Sequence, residues 1–176
     1  DIQMYKLTFQ QSVYREITNN LTLMVNGQAG YANSYGDKEF PFFKNFYVGG
    51  VNSVRGYRLS SIGPVCLAGD ASCGTTTQTR NMFLGGTKQL VGNIELFMPV
   101  PFLKNNNQFR LSAFIDAGNV YGHDESVTLS TLRYSAGMGV LWVSPFGPLK
   151  LVYAVPFNNQ STDRTESFQF QMGQQF

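Results

Sequence analysis

Apolar and polar residues alternate along this chain over windows of ten residues and more, and a backbone carrying that pattern folds as extended strands with one greasy face and one wet face. Seven strands are predicted, at about 3–14, 20–31, 88–99, 109–121, 131–143, 148–157 and 166–176. In the second, Leu21, Leu23, Val25, Ala29 and Tyr31 share a face, and Thr22, Asn26, Gln28 and Gly30 share the other. The third sets Leu90, Ile94, Leu96 and Met98 against Gln89, Asn93 and Glu95, and the fourth sets Leu111, Ala113 and Ile115 against Arg110, Ser112 and Asp116. The fifth sets Tyr134, Ala136, Met138, Val140 and Trp142 against Arg133, Ser135, Gly137 and Gly139. The last sets Phe168, Phe170, Met172 and Phe176 against Gln169, Gln171 and Gln175. Eighteen glycines and seven prolines in 176 residues leave little room for long helices.

Strand length decides which way the apolar face points. Soluble sandwiches use strands of about 5 or 6 residues and hide the apolar face inside. A strand that crosses a bilayer needs about 9 to 11 residues, apolar outside and polar inside, with aromatic rings at its ends. The predicted strands have that length, and Tyr5, Tyr31, Tyr134, Trp142, Tyr153, Phe157, Phe168 and Phe176 suit two aromatic girdles. Short connections at about 15–19 and 144–148 and a medium one at about 100–108 alternate with long polar loops at about 32–87, 122–130 and 158–165. That alternation of rims is the outer-membrane arrangement. The expectation is an all-β, antiparallel transmembrane β-barrel portion of about seven or eight long strands, in which residues 32–87 form the longest external loop. An odd strand count calls for further strands elsewhere, or for an open half whose edges pair with partners or with other copies. The opening "DIQMYKLTFQ" reads as the start of a mature chain or of a fragment.

Several function classes find no support. Net charge is +2 with no extended Lys/Arg cluster, so no nucleic-acid partner is expected. "GGVNSVRGY" lacks the Gly-Lys-Ser/Thr ending of a phosphate loop, and no Gly-x-Ser-x-Gly elbow or Ser/His/Asp set assembles around the single His123. With one histidine far from Cys66 and Cys73 there is no zinc ligand set, so neither metal nor cofactor nor enzymatic activity is expected. Cys66 and Cys73 read as a local disulfide and point to an oxidising compartment. A soluble ligand-binding barrel and a passive porin or adhesin are the alternatives. A porin constriction, however, would show several basic residues facing acids, where this chain shows one prominent arginine.

That arginine is Arg55, set among Gly49, Gly50 and Gly56 in "GGVNSVRGYRLSSIGP". Strand parity turns Glu95 and Asp116 inward, where unpaired charge is costly and a counter-ion is needed. If the loop folds inward, its glycines permit a reversal that aims the guanidinium at those acids. Otherwise Arg55 is a solvated loop residue.

The stretch "FYVGGVNSVRGYRLSSIGP" resembles the long extracellular loop of the BamA family of outer-membrane assembly proteins, whose hallmark is an Arg-Gly-aromatic triplet, here Arg55-Gly56-Tyr57 after Val54. The resemblance continues through "VGNIELFMPVPFL", "FIDAGNVYG", "SAGMGVLWVSPFGPLKLVYAVPF" and "ESFQFQMGQQF". Assembly factors of the TamA type and two-partner secretion transporters share the triplet, while "SSIGP" and "SPFGPL" favour the BamA family. The resemblance implies a bacterial outer-membrane barrel of which residues 1–176 are the C-terminal half, the POTRA domains and first strands lying outside this sequence. It implies a loop clamp of Val54, Arg55, Gly56 and Tyr57 on Glu95 and Asp116. It also implies a final strand, with Phe168, Phe170, Met172, Gly173 and Phe176, serving as gate and as C-terminal signal. The implied partners are outer-membrane lipid, nascent β-barrel substrates and, in the full-length protein, accessory assembly lipoproteins.

Overall fold

The computed structural model describes residues 3–35, 40–69, 81–100, 108–145 and 147–173. Cys73, the partner expected for Cys66, and Phe176, expected at the end of the last strand, lie outside the described residues. The strands are β1 (Met4–Thr18), β2 (Leu21–Ser34), β3 (Val65–Cys66), β4 (Met82–Phe83), β5 (Lys88–Pro99), β6 (Phe109–Tyr121), β7 (Arg133–Ser144), β8 (Gly147–Phe157) and β9 (Phe168–Met172). Seven of them make one antiparallel sheet in the order β1-β2-β5-β6-β7-β8-β9, and β3 and β4 pair with each other inside the long loop. Among the described residues, β1 and β9 each have a single neighbour in this open sheet. The seven sheet strands match the alternating segments in number and order, but the last is described over only Phe168–Met172, shorter than the expected 166–176, because residues 164–166 pair with the long loop and 174–176 lie outside the described residues. The small β3–β4 pair was not foreseen, because two-residue strands are too short to show a period. β1 runs further than its alternation suggested and turns at Asn19 and Asn20, with a register shift between Glu16 and Thr18.

Register explains why the wall has two chemically different faces. Val13, Val25, Ile94, Ile115, Ala136 and Val155 lie opposite one another across six successive strands. One residue along, Ser12, Asn26, Asn93, Asp116 and Ser135 form the matching row on the other face. Slipping any strand by one residue would exchange the two rows, which fixes the pairing wherever one face meets lipid. The apolar row is exposed, with Ile94 at 51% and Ile115 at 55%, as a lipid-facing wall requires. Rings collect near both rims: Tyr134 stacks on Phe157 at 5.8 Å at one end, and Phe109 stacks on Trp142 at 5.4 Å at the other.

The inward face is not uniformly wet, and this departs from the simple alternation. Towards the long-loop rim, Ala32, Val91 and Val120 point inward, and the loop meets them with Phe46, Val48, Val54, Tyr57 and Ile62 to form a buried apolar cluster. This burial offsets the entropy of ordering the loop, at about 25 cal/mol for each Å² of apolar surface removed from water. The loop is therefore a plug with its own small core.

A charge on the outward row is expected to be costly. Ile115→Arg should lower the unfolding free energy in a bilayer by about 2–4 kcal/mol, whereas Gln28→Lys, facing the lumen, should change it little. Urea titration of vesicle-reconstituted protein checks this, and equal losses would contradict the assignment of faces.

Candidate functional site

The long loop descends between the bridges Phe46–Gly86 and Val48–Ile62, and its tip lies against the middle of the wall. The tip is closed by the Ser53 N–H donating to Gly50 O at 3.1 Å and the Gly50 N–H donating to Tyr57 O at 3.0 Å. Gly56 has φ +85°, and a Cβ there would lie 3.1 Å from the Ala154 Cβ, so glycine serves both the reversal and the close approach. On the wall, Gly118 supplies the matching space: a Cβ there would sit 2.7 Å from Val54 Cγ2.

The geometry brings Arg55 onto both acids. Nε and Nη2 donate to Asp116 Oδ2 and Oδ1, each at 2.7 Å, in the two-pronged arrangement that suits a guanidinium and a carboxylate. The Arg55 backbone N–H also donates to Asp116 Oδ2 at 3.0 Å. Nη1 lies 2.8 Å from Glu95 Oε2 but is not aligned for a hydrogen bond, so this arm is an ion pair. Lys150 Nζ approaches the same oxygen at 3.7 Å, which makes the cluster two cations on two carboxylates. The guanidinium carbon stands 3.4 Å from the centre of the Phe114 ring, a cation–π stack that covers its face. Burial by itself would push the Arg55 guanidinium down, but the hydrogen bonds and charge of Asp116, then the charge of Glu95, hold it above its ordinary value.

Behind Asp116 runs a line of side-chain hydrogen bonds along the polar row. Ser12 Oγ donates to Asn26 Oδ1 at 2.9 Å, Asn26 Nδ2 to Asn93 Oδ1 at 2.8 Å, and Asn93 Nδ2 to Asp116 Oδ1 at 2.8 Å and Ser53 O at 2.7 Å. Four strands and the loop tip thus converge on one carboxylate. Asn93 was legible as inward, though not as a partner of the loop. Phe114 was missed altogether, although an aromatic ring breaking the polar face two residues before Asp116 was a usable signal.

Tyr57, also buried, donates from its hydroxyl to Phe157 O at 3.0 Å and approaches Tyr134 O at 3.3 Å. Burial, then the charge of Asp163, pushes this hydroxyl up to about 12, opposed by Arg133. Gln169 of β9 reaches the triplet too: its Oε1 accepts from the Gly56 N–H at 3.2 Å and its Nε2 donates to Tyr57 O at 2.7 Å. The other predicted residues of the final strand lie elsewhere. Phe168, Phe170 and Met172 are exposed on the outward face, and Gly173, at φ +86°, donates its N–H to Pro148 O at 2.9 Å. The arrangement offers no reacting centre among the described residues. What it can do is hold a loop against the inward face of the wall.

The whole chain, residues 1–176, matches the profile described as the Omp85 superfamily domain. It is 36% identical to the outer membrane protein assembly factor BamA of Neisseria meningitidis serogroup B, over 99% of this chain and 24% of that protein. It is 30% identical to the sorting and assembly machinery component 50 homolog A of Xenopus laevis, over 100% of this chain and 38% of that one. Among solved structures, the crystal structure of BamA from Haemophilus ducreyi lacking POTRA domains 1–3 superposes with a TM-score of 0.83 at 28% identity, over 97% of this chain and 35% of that one. The chain therefore spans well under half the length of these relatives.

Removing one member of the cluster strands another charge in a buried site. Asp116→Asn is expected to lower the unfolding free energy by about 3–5 kcal/mol and to make the loop sensitive to protease. Tyr57→Phe, which removes only a neutral hydroxyl, should cost about 1 kcal/mol. Denaturant titration with limited proteolysis checks both, and a protease-resistant loop in the Asp116 variant would contradict the clamp.

Proposed function

Because the chain belongs to the Omp85 superfamily, we propose that it is the C-terminal half of a bacterial outer-membrane β-barrel that folds and inserts other β-barrel proteins. Its partners in that role are outer-membrane lipid, nascent β-barrel substrates and, in the full-length protein, accessory assembly lipoproteins. The relatives whose names speak of assembly support this reading. The observation that carries it is the Arg55 cluster, which spends a buried charge on fixing a loop beside the last strand.

The work proposed is an exchange of hydrogen bonds and needs no covalent chemistry. In lipid each unpaired backbone N–H or C=O costs several kcal/mol, so a barrel seam is released readily only if another strand takes its place. The edge offered is that of the last strand: among the described residues β9 has β8 as its single neighbour in the sheet, so its other edge is where a further strand would pair. An incoming substrate strand adds to such an edge by main-chain hydrogen bonds, and its alternating side chains find lipid on one side and the lumen on the other. In this reading the loop supports the gate strand from within while its outer neighbour changes.

Arg55→Ala in the full-length protein is expected to lower the levels of other outer-membrane β-barrel proteins several-fold at equal abundance of the variant. Quantitative immunoblotting of outer-membrane fractions checks this, and undiminished levels would contradict the proposed role. The 176-residue chain alone is expected not to accelerate the folding of substrates into liposomes, because a gate needs the strand on the far side of the seam; acceleration by this chain would contradict that reading.

A further inference from the structure

Between the outer end of β8 and the start of β9 the backbone does something a plain barrel hairpin does not. The Ala154 N–H donates to Ser167 O at 2.8 Å, and beyond that point the chain leaves the wall and pairs with the long loop. The Glu166 N–H donates to Gly56 O at 2.8 Å, the Arg58 N–H donates to Arg164 O at 2.8 Å, and Tyr57 and Thr165 form the antiparallel bridge between them. The ladder of the last strand thus continues onto the Arg-Gly-Tyr triplet. Ser61 Oγ adds a bond to Arg164 O at 3.0 Å.

Two side chains lock this pairing, and the clamp uses neither. Gln169, buried on the inward face of β9, uses both halves of its amide on the Gly56 N–H and Tyr57 O, so one side chain stands in for a further step of the ladder. Asp163 holds the other end of the segment. Its carboxylate takes Arg133 Nε at 2.9 Å and Nη2 at 3.0 Å, while Arg133 Nη1 donates to Asn119 Oδ1 at 2.8 Å. The Gln160 N–H donates to the same carboxylate at 2.8 Å, and Asn158 Nδ2 donates to Leu132 O at 2.6 Å. Residues 158–167 are therefore a strap, fixed to β6 and β7 at one end and to the loop at the other.

We propose that Gln169 and Asp163 are positioning residues that fasten the outer end of the final strand to the Arg-Gly-Tyr loop, so that β9 keeps its place only while Arg55 is seated. If the triplet moves, residues 164–166 lose their backbone partner and Gln169 is left buried with an unsatisfied amide, which is the costly outcome for such a group. The coupling follows from this geometry and holds whether or not the barrel assembles other proteins.

Hydrogen exchange of the full-length protein in detergent micelles tests it, read at the Gly56, Arg58 and Glu166 amides. Gln169→Ala and Arg55→Lys are each expected to speed exchange there about tenfold, the usual scale for losing a buried hydrogen-bonded partner. The double variant should be no faster than the quicker single variant, because the two act through one coupled unit. A purely local role of Gln169 within β9 predicts instead that the Arg58 amide is unmoved by Gln169→Ala, or that the two effects multiply; either result overturns the proposal. Asp163→Asn is read independently. It should speed exchange at Glu166 while leaving the β5–β6 amides unchanged, and an unchanged Glu166 amide would overturn the strap.

Discussion

A buried guanidinium sets the terms for this molecule. Taking the Arg55 charge out of water costs several kcal/mol unless it is paired and hydrogen-bonded, and the protein meets that condition with two carboxylates, one aromatic face and a line of amides. The two carboxylates come from neighbouring strands, Glu95 on β5 and Asp116 with Phe114 on β6, so the charge is neutralised only when β5 and β6 are in register and the loop lies against their inward face. Loop, glycine reversal and strand register depend on one another for that reason.

The wall provides the second constraint. In lipid every backbone group must be paired inside the protein, which leaves long paired strands as the workable form for alternating segments of this length. Alternation then delivers one apolar and one polar row from the same residues, and the polar row needs partners of its own. The loop supplies them in two ways, through apolar packing at the long-loop rim and through Arg55 at mid-wall. The inward face is consequently packed there, and β9 is held from that side by the loop through Gln169.

Much of this was legible in the residues and some was not. Period two located the seven sheet strands, since side-chain direction is a local property of extended backbone, and the same parity turned Glu95 and Asp116 inward. Phe114 was overlooked because it interrupts the polar face, and a ring on that face has a reason only once a cation lies over it. Arg133 was placed on the inward face, but Asp163, thirty residues further on in a polar loop, carried no sign of being its partner. Gln169 could be assigned to the lumen side of the last strand; that its amide grips Gly56 and Tyr57 depends on a contact more than a hundred residues away in sequence.

The sequence by itself determined that the chain forms long antiparallel strands with an apolar outside, that two acids face inward, and that a glycine-flanked arginine is available to meet them. These follow from side-chain periodicity and from the conformational freedom of glycine, both written residue by residue. Only the tertiary structure decided that the arginine is seated, that the inward face beneath the long-loop rim packs into an apolar core with the loop, and that the last strand's ladder passes onto the loop. Those outcomes turn on which distant segments share one small volume, where burial, charge pairing and hydrogen-bond satisfaction have to be met together.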